Sequence, residues 1–320
     1  MSRAAPAKLN LYLHVVGRRA DGYHLLDSLV VFAGVADVLS VRPAGELALT
    51  VDGPFAPALA AADNIVIRAA RRLAEAGEVT SGAAIHLTKR LPVGAGLGGG
   101  SSDAAAVIEL LVRLWRVRLD DGRMDSLALG LGADVPVCRL GRAALVGGIG
   151  EVLAPAPTLP EAHFVLANPG RALATGDVYG ARAALFSPSG RFDEAPADAT
   201  ALSRLLGARR NDLEPPARAL MPEIGSVLAA LEAESNCLLA RMSGSGATCF
   251  GLFARERDAR QSAERLRRRR PEWWVEAAPM LTGARALGDH VPHASTARLR
   301  PCRARAAPRR SSGPTRRAPS

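Results

Sequence analysis

No apolar run in the sequence approaches the ~20 residues needed to cross a bilayer, which excludes an integral membrane protein built on helices. Cysteine is scarce and scattered (Cys138, Cys237, Cys249, Cys302), with no CxxC pair and no Cys/His spacing of the zinc-binding kind. A disulfide scaffold and a zinc module are thereby set aside, and free thiols in a reducing cytosol remain. The first residues, "MSRAAPAKLNLYLHVVG", lack a charged segment leading into an apolar core and a cleavage site. Secretion is not expected, and a cytoplasmic location is. Acidic residues are missing from one region, since positions 290–320 hold eight arginines and no Asp or Glu. That tail carries +8 of the net charge of +10, leaving +2 for the rest. A nearly neutral body makes no case for a nucleic-acid-binding core.

What is present is a chain of 320 residues with 48% hydrophobic content, enough for one large or two medium domains. Alternation predicts a strand at 8–17, and β-branched runs predict more over 26–43, with a polar loop at 18–24 between them. Helical spacing marks 64–77, capped by Asp63 or Asn64, and 101–115; residues 83–91 form a strand candidate between these helices. Pro136 and several glycines punctuate an expected strand pair over 133–153. The proline-rich "LAPAPTLPEAH" (153–163) marks a plausible domain junction. Beyond it come a strand at 164–170, helices near 201–207 and 222–234, a strand–turn–strand at 237–253, a basic helix at 255–270 and a strand at 272–281. Past Gly288, Arg, Pro, Ser and Ala dominate without apolar period, as in a disordered tail.

The segment "LPVGAGLGGGSSDAA" (91–105) concentrates five glycines between apolar runs. It is not a Walker loop, because GxxxxGK[ST] needs a lysine where Ser101 stands. Gly94, Gly96 and Gly99 do match GxGxxG, with Asp120 and Asp121 following, so a dinucleotide-binding turn is one reading. Pro92 and the extra Gly98 and Gly100 make the loop long for that turn, and "RVRL" is a poor buried strand. The other reading is an anion loop whose amides converge on a phosphate at the start of a helix, with Ser101 and Ser102 hydroxyls directed to phosphate or its metal ion.

This segment resembles the phosphate loop of the GHMP kinases, and two further segments match that family in order. "PAKLNLYLHVVGRRADGYH" (6–24) is similar to its N-terminal motif and "MSGSGATCFGLF" (242–253) to its C-terminal glycine motif, so the likeness spans Pro6 to about Gly288. With "ADGYH", "GADVPV" and "NDLEPPA", the resemblance narrows to members acting on a polyol that carries a cytidine diphosphate. It implies a two-lobed α/β (α+β) fold: an N-terminal lobe like ribosomal protein S5 domain 2 (1–155), a ferredoxin-like C-terminal lobe (156–288), and the basic tail (289–320) outside both.

The resemblance also implies roles. Pro92, Val93, Gly94, Ala95, Gly96, Leu97, Gly98, Gly99, Gly100, Ser101 and Ser102 would bind ATP, with Mg²⁺ held largely by phosphates and water. Asp134 corresponds to the catalytic aspartate, although an Asp two residues before a proline is equally a helix cap. Lys8 matches an active-site lysine, against the alternative of a solvent-facing residue at a strand start. Asn10, on the same face as Lys8, matches a substrate-contacting asparagine. Tyr23 and His24 correspond to a cytosine-binding pair, Tyr179 to an aromatic on the base's other face, and Thr175 to a ligand contact. Gly244, Ser245 and Gly246 would complete the substrate phosphate pocket, where a plain hairpin turn would also suit the sequence. The expected partner is this small molecule, with neither a membrane nor a specific nucleic acid.

Overall fold

The structure, a computed structural model, describes residues 1–59, 64–183 and 185–281. The tail from 289, Cys302 and the alternative cap Asp63 lie outside the described residues. Two long antiparallel strands, β1 (Ser2–Arg18) and β2 (His24–Ala44), form the spine. In chain order there follow β3 (Ala48–Asp52), α1 (Ile65–Ala76), β4 (Gly82–Thr88), the glycine loop, α2 (Gly99–Trp115), α3 (Asp121–Leu131), α4 (Val135–Leu140), β5 (Ala144–Gly148) and β6 (Val152–Pro155). After the proline-rich stretch come β7 (His163–Asn168), α5 (Thr175–Gly180), α6 (Ala199–Gly207), α7 (Glu214–Leu220), α8 (Glu223–Glu232), β8 (Leu239–Met242), β9 (Cys249–Phe253), α9 (Glu256–Arg269) and β10 (Trp274–Leu281).

β1 starts earlier than alternation predicts because it runs through Pro6. Proline has no N–H for the ladder, and the register shifts between Pro6 and Ala7. β1 covers one edge of β2, while β5, β10 and β4 follow one another along the other edge. The pairing of Met280 and Leu281 with Ala33 and Phe32 joins the last strand to the first pair. The apolar cluster containing Leu9, Leu29, Phe164 and Phe250 accordingly draws on both sides of residue 155. α1, α2 and α3 cover a separate cluster over β2 and β4, with Asn64 Oδ1 accepting from Val66 N to start α1.

Among the named strands only β3 and β4 pair in parallel; β4 is antiparallel to β2, and "RVRL" is coil. A dinucleotide turn needs a parallel strand–helix–strand unit at this point, so the GxGxxG reading falls. The expected strand pair over 133–153 opens instead with α4, where Pro136 sits in the first turn and its missing N–H costs nothing. α7 hides behind Pro215 and Pro216 for the same reason.

Two buried carboxylates secure the coil at 187–192 and the segment at 210–212. Asp27 accepts from Ser189 Oγ, Gly190 N and Arg191 Nε, and Asp212 from Ser187 Oγ, Val15 N and Arg210 Nε. Burial works to raise both, but these donors outweigh it and hold both below the usual carboxylate range. A group depressed in the folded state stabilises the fold above its unfolded pKa and loses that contribution as pH falls. Stability is expected to drop below about pH 4. Asp212→Asn should cost about 2 kcal/mol at neutral pH and flatten that acid limb; thermal unfolding between pH 7 and pH 3 measures both.

Candidate active site

Gly94, Gly96 and Gly98 have φ of +62°, +73° and +58°, and the residues between them, Ala95 and Leu97, are buried. Left-handed glycines alternating with anchored apolar residues turn successive carbonyls to one side. Each carbonyl from 94 to 98 has a donor: Leu173 N, Thr248 N, Ser243 Oγ, Lys8 N and Ser102 N, at 2.8 to 3.3 Å. In a trans peptide the N–H points away from the C=O. Each amide of residues 95–99 therefore points away from the donor that holds the preceding carbonyl, and the free first amides of α2 and the positive end of its dipole adjoin them. Residues 92–101 line a cavity of about 480 Å³, bounded also by Lys8, Asn10 and Asp134. Such a loop has the backbone geometry of an anion cradle.

Lys8 and Asn10 share a face of β1, as period two requires. The buried Lys8 Nζ donates to Asn10 Oδ1 at 3.0 Å and pairs with Asp134 Oδ2 at 2.9 Å. Asn10 Nδ2 in turn donates to Ser28 Oγ at 2.8 Å, which fixes the amide's orientation. Asp134 is 43% exposed at its side chain and makes no capping bond to α4. Of the two sequence readings, capping fails: the backbone stands at the cap position while the carboxylate turns to Lys8. A Cβ on Gly98 would lie 3.1 Å from Lys8 Cβ and 3.8 Å from Asp134 Oδ2. Cradle and carboxylate thus adjoin.

At another side of the cavity, α5 supplies Thr175 and Tyr179. Thr175 Oγ1 is 2.8 Å from Ser245 Oγ, and the Tyr179 ring stacks on His24 with centroids 5.0 Å apart and an interplanar angle of 26°. Burial first, then the guanidinium groups of Arg18 and Arg182, hold His24 below the usual histidine value. At pH 7 the ring is neutral, with one donor and one acceptor nitrogen.

The comparisons with known proteins follow the same outline. The family model described as the GHMP kinases N terminal domain matches residues 64–142, and the GHMP kinases C terminal model matches 184–272. The 4-diphosphocytidyl-2-C-methyl-D-erythritol kinase of Paramagnetospirillum magneticum is 55% identical over 278 residues, 87% of this chain and 98% of that one. The chain belongs to the GHMP kinases. The enzyme of the same name from Rhodospirillum rubrum is 53% identical over 275 residues, covering 86% of this chain and 90% of its own. A crystal structure of 4-(cytidine 5'-diphospho)-2C-methyl-D-erythritol kinase matches with a TM-score of 0.72 and 38% identity, over 88% of this chain and all of that one. Homoserine kinase from Cytophaga hutchinsonii, at a TM-score of 0.70 and 17% identity, shares the fold.

In this GHMP kinase the cavity wall gathers Lys8, Asn10, Asp134, Thr175, Tyr179, Gly244, Ser245 and the loop from Pro92 to Ser101. Four expected residues are not part of that wall, and one of them, His24, adjoins it only through its stacking on Tyr179. Ser102 is fully buried and donates to Pro6 O at 2.8 Å, so its hydroxyl serves the start of α2 and not the cavity. Gly246 lies behind the wall, where a Cβ would come within 2.7 Å of Met242 Sδ. Tyr23 is 60% exposed in the 18–24 turn, and it is Tyr179 that meets His24. Two residues of the site were missed. Ser243 Oγ accepts from Asn10 N and donates to Gly96 O. Asn211 Nδ2 donates to Met242 O and Gly244 O, holding the second glycine turn against β1. Asn211 sits in "NDLEPPA", so the motif was visible but its contact across the fold was not.

Proposed function

We propose that this chain transfers the γ-phosphoryl group of ATP to the 2-hydroxyl of 4-diphosphocytidyl-2-C-methyl-D-erythritol, a step of the non-mevalonate route to isoprenoid precursors. One observation carries the reading: a lysine-paired carboxylate, Asp134, next to a cradle of main-chain amides at the wall of one cavity.

Phosphoryl transfer depends on positioning and charge stabilisation more than on covalent chemistry. The amides of residues 95–99 and the start of α2 receive the phosphates of ATP. Lys8 pairs with Asp134 and brings positive charge to the attacking oxygen, while Asp134 accepts the hydroxyl proton. His24 and Tyr179 receive the cytosine, a flat base that needs an aromatic face and a directed polar group. Thr175, Gly244 and Ser245 line the path between the base and the reacting end. Mg²⁺ suits this wall: a hard cation that keeps its water, it prefers phosphate oxygens to a protein cage, and Ser101 and Asp134 are the oxygen-bearing residues of the wall nearest the loop that could hold its water. When bound, it would offset the negative charge of the triphosphate. The three free thiols among the described residues (Cys138, Cys237, Cys249) fit a cytoplasmic setting for this reading.

The deciding assay uses the purified full chain, labelled ATP and the cytidyl alcohol, with the product's mass and phosphate position determined. Preferential phosphorylation of homoserine or mevalonate would refute the substrate. Tyr179→Leu is expected to raise KM for the cytidyl alcohol about tenfold, from the loss of one base-stacking contact, with KM for ATP unchanged. Equal rises in both constants would remove Tyr179 from base recognition.

A further inference from the structure

Beneath the glycine loop, away from the Lys8–Asp134 pair, lies a second buried charged group. Lys89 Nζ sits between Asp37 Oδ2 at 2.5 Å and Asp103 Oδ2 at 2.7 Å, and all three side chains are almost fully buried. Lys89 ends the run from β4, Asp37 lies on β2, and Asp103 belongs to the second turn of α2. The other oxygen of Asp37 accepts from Arg90 N at 2.5 Å and Leu91 N at 2.8 Å, the residues entering the loop. On the far side, a Cβ on Gly99 would come within 3.1 Å of Lys89 Nζ, so the ammonium lies against the first residue of α2. Lys89 and Asp103 also reach the cavity wall.

Two carboxylates and one ammonium buried together are costly to desolvate, and such a group is weak evidence of stability for its own sake. Its connectivity gives it another use. Through one ammonium, the residues before the loop and the helix after it are tied to the same aspartate on β2. From this geometry we infer that Asp37, Lys89 and Asp103 are positioning residues, which fix both ends of the loop so that the amides are aligned before the nucleotide arrives. Ordering the loop during folding removes that entropy cost from binding.

The inference rests on the loop being the ATP site, and Asp103 offers the sharpest test. Asp103→Ala leaves the neutral Lys89–Asp37 pair and both amide bonds of Asp37 in place, and alanine suits a helix interior better than aspartate. It cuts only the tie between the two ends. Asp103→Asn keeps an oxygen to accept from Lys89 and is the rescue variant. ATP dissociation constants, both KM values and hydrogen exchange of amides 92–100 in the ligand-free chain are measured for each. The Ala variant is expected to exchange these amides at least tenfold faster and to bind ATP at least tenfold more weakly, with KM for the alcohol within twofold. The Asn variant should stay within threefold of the parent in every measure. Unchanged exchange and ATP binding in a folded Ala variant would overturn the inference, as would equal rises in both KM values. An Ala variant that does not fold would also count against it, since the tie would then be structural. Failure of the parent chain to bind ATP would instead refute the assignment of the loop.

Discussion

Asp134→Asn is expected to lower kcat by about 10²–10⁴-fold, the usual worth of a positioned general base, while ATP binding stays within a few-fold of the parent. The amide is nearly isosteric with the carboxylate and its oxygen can still accept from Lys8 Nζ, now 2.9 Å from Asp134 Oδ2. The cradle's five carbonyl anchors do not involve Asp134, so the nucleotide site should survive the change. What is lost is an acceptor for the hydroxyl proton and a negative partner for the buried lysine. Single-turnover kinetics alongside calorimetric ATP titration separate the two effects. Near-normal kcat would mean that the transition state is loose enough to need no base, and Asp134 would then be a partner for Lys8 only.

Gly96→Ala is expected to be as damaging for a different reason. The position has φ of +73°, which costs an L-residue about 1–2 kcal/mol. A Cβ there would also lie 2.4 Å from Ser243 O and 2.8 Å from Gly246 N. These are backbone atoms in the second glycine turn, itself held by Asn211, so they cannot swing aside as a side-chain end would. The loop must withdraw, breaking the bond between Ser243 Oγ and Gly96 O and misaligning the amides. ATP affinity should fall at least about 100-fold, as misplacement near 1 Å does in such sites, and Tm by roughly 5 °C or more. Gly100→Ala is the control: it lies in α2 with no left-handed φ, and its Cβ would meet only Ile65 Cγ2, at 3.4 Å. That substitution should leave fold stability unchanged or raise it by about 0.5–1 kcal/mol, so the two variants are compared on Tm. Equal behaviour of the two variants would contradict the close-approach explanation.

These contrasts show where sequence was informative. The glycines at 94, 96 and 98 declared a loop of unusual backbone, because no other residue would be placed there in such number. Lys8 and Asn10 could be put on one face from strand period alone. The choice between base and cap for Asp134 could not be made, because both demand the same residue at the same place and differ only in where the carboxylate turns. Proline misled twice: in α4 and α7 it opens a helix, while in the sequence it reads as a break. Asp37, Lys89 and Asp103 raised no signal, since three ionisable residues separated along the chain become one group only when β2, β4 and α2 meet. Tyr23 carried the family's expectation, but its turn leaves the ring in solvent and gives the contact with His24 to a residue on α5.

The carbonyl anchors of the glycine loop have a consequence for how the protein comes into being. Two of them come from Ser243 and Thr248, some 150 residues downstream of the loop they hold. A ribosome that has just synthesised the loop has made a ligand site without its frame, and a fragment cut at the proline-rich stretch would lack the frame permanently. The loop's set of carbonyl anchors is therefore complete only once residues 243–248 have been made and packed against β1 and the loop.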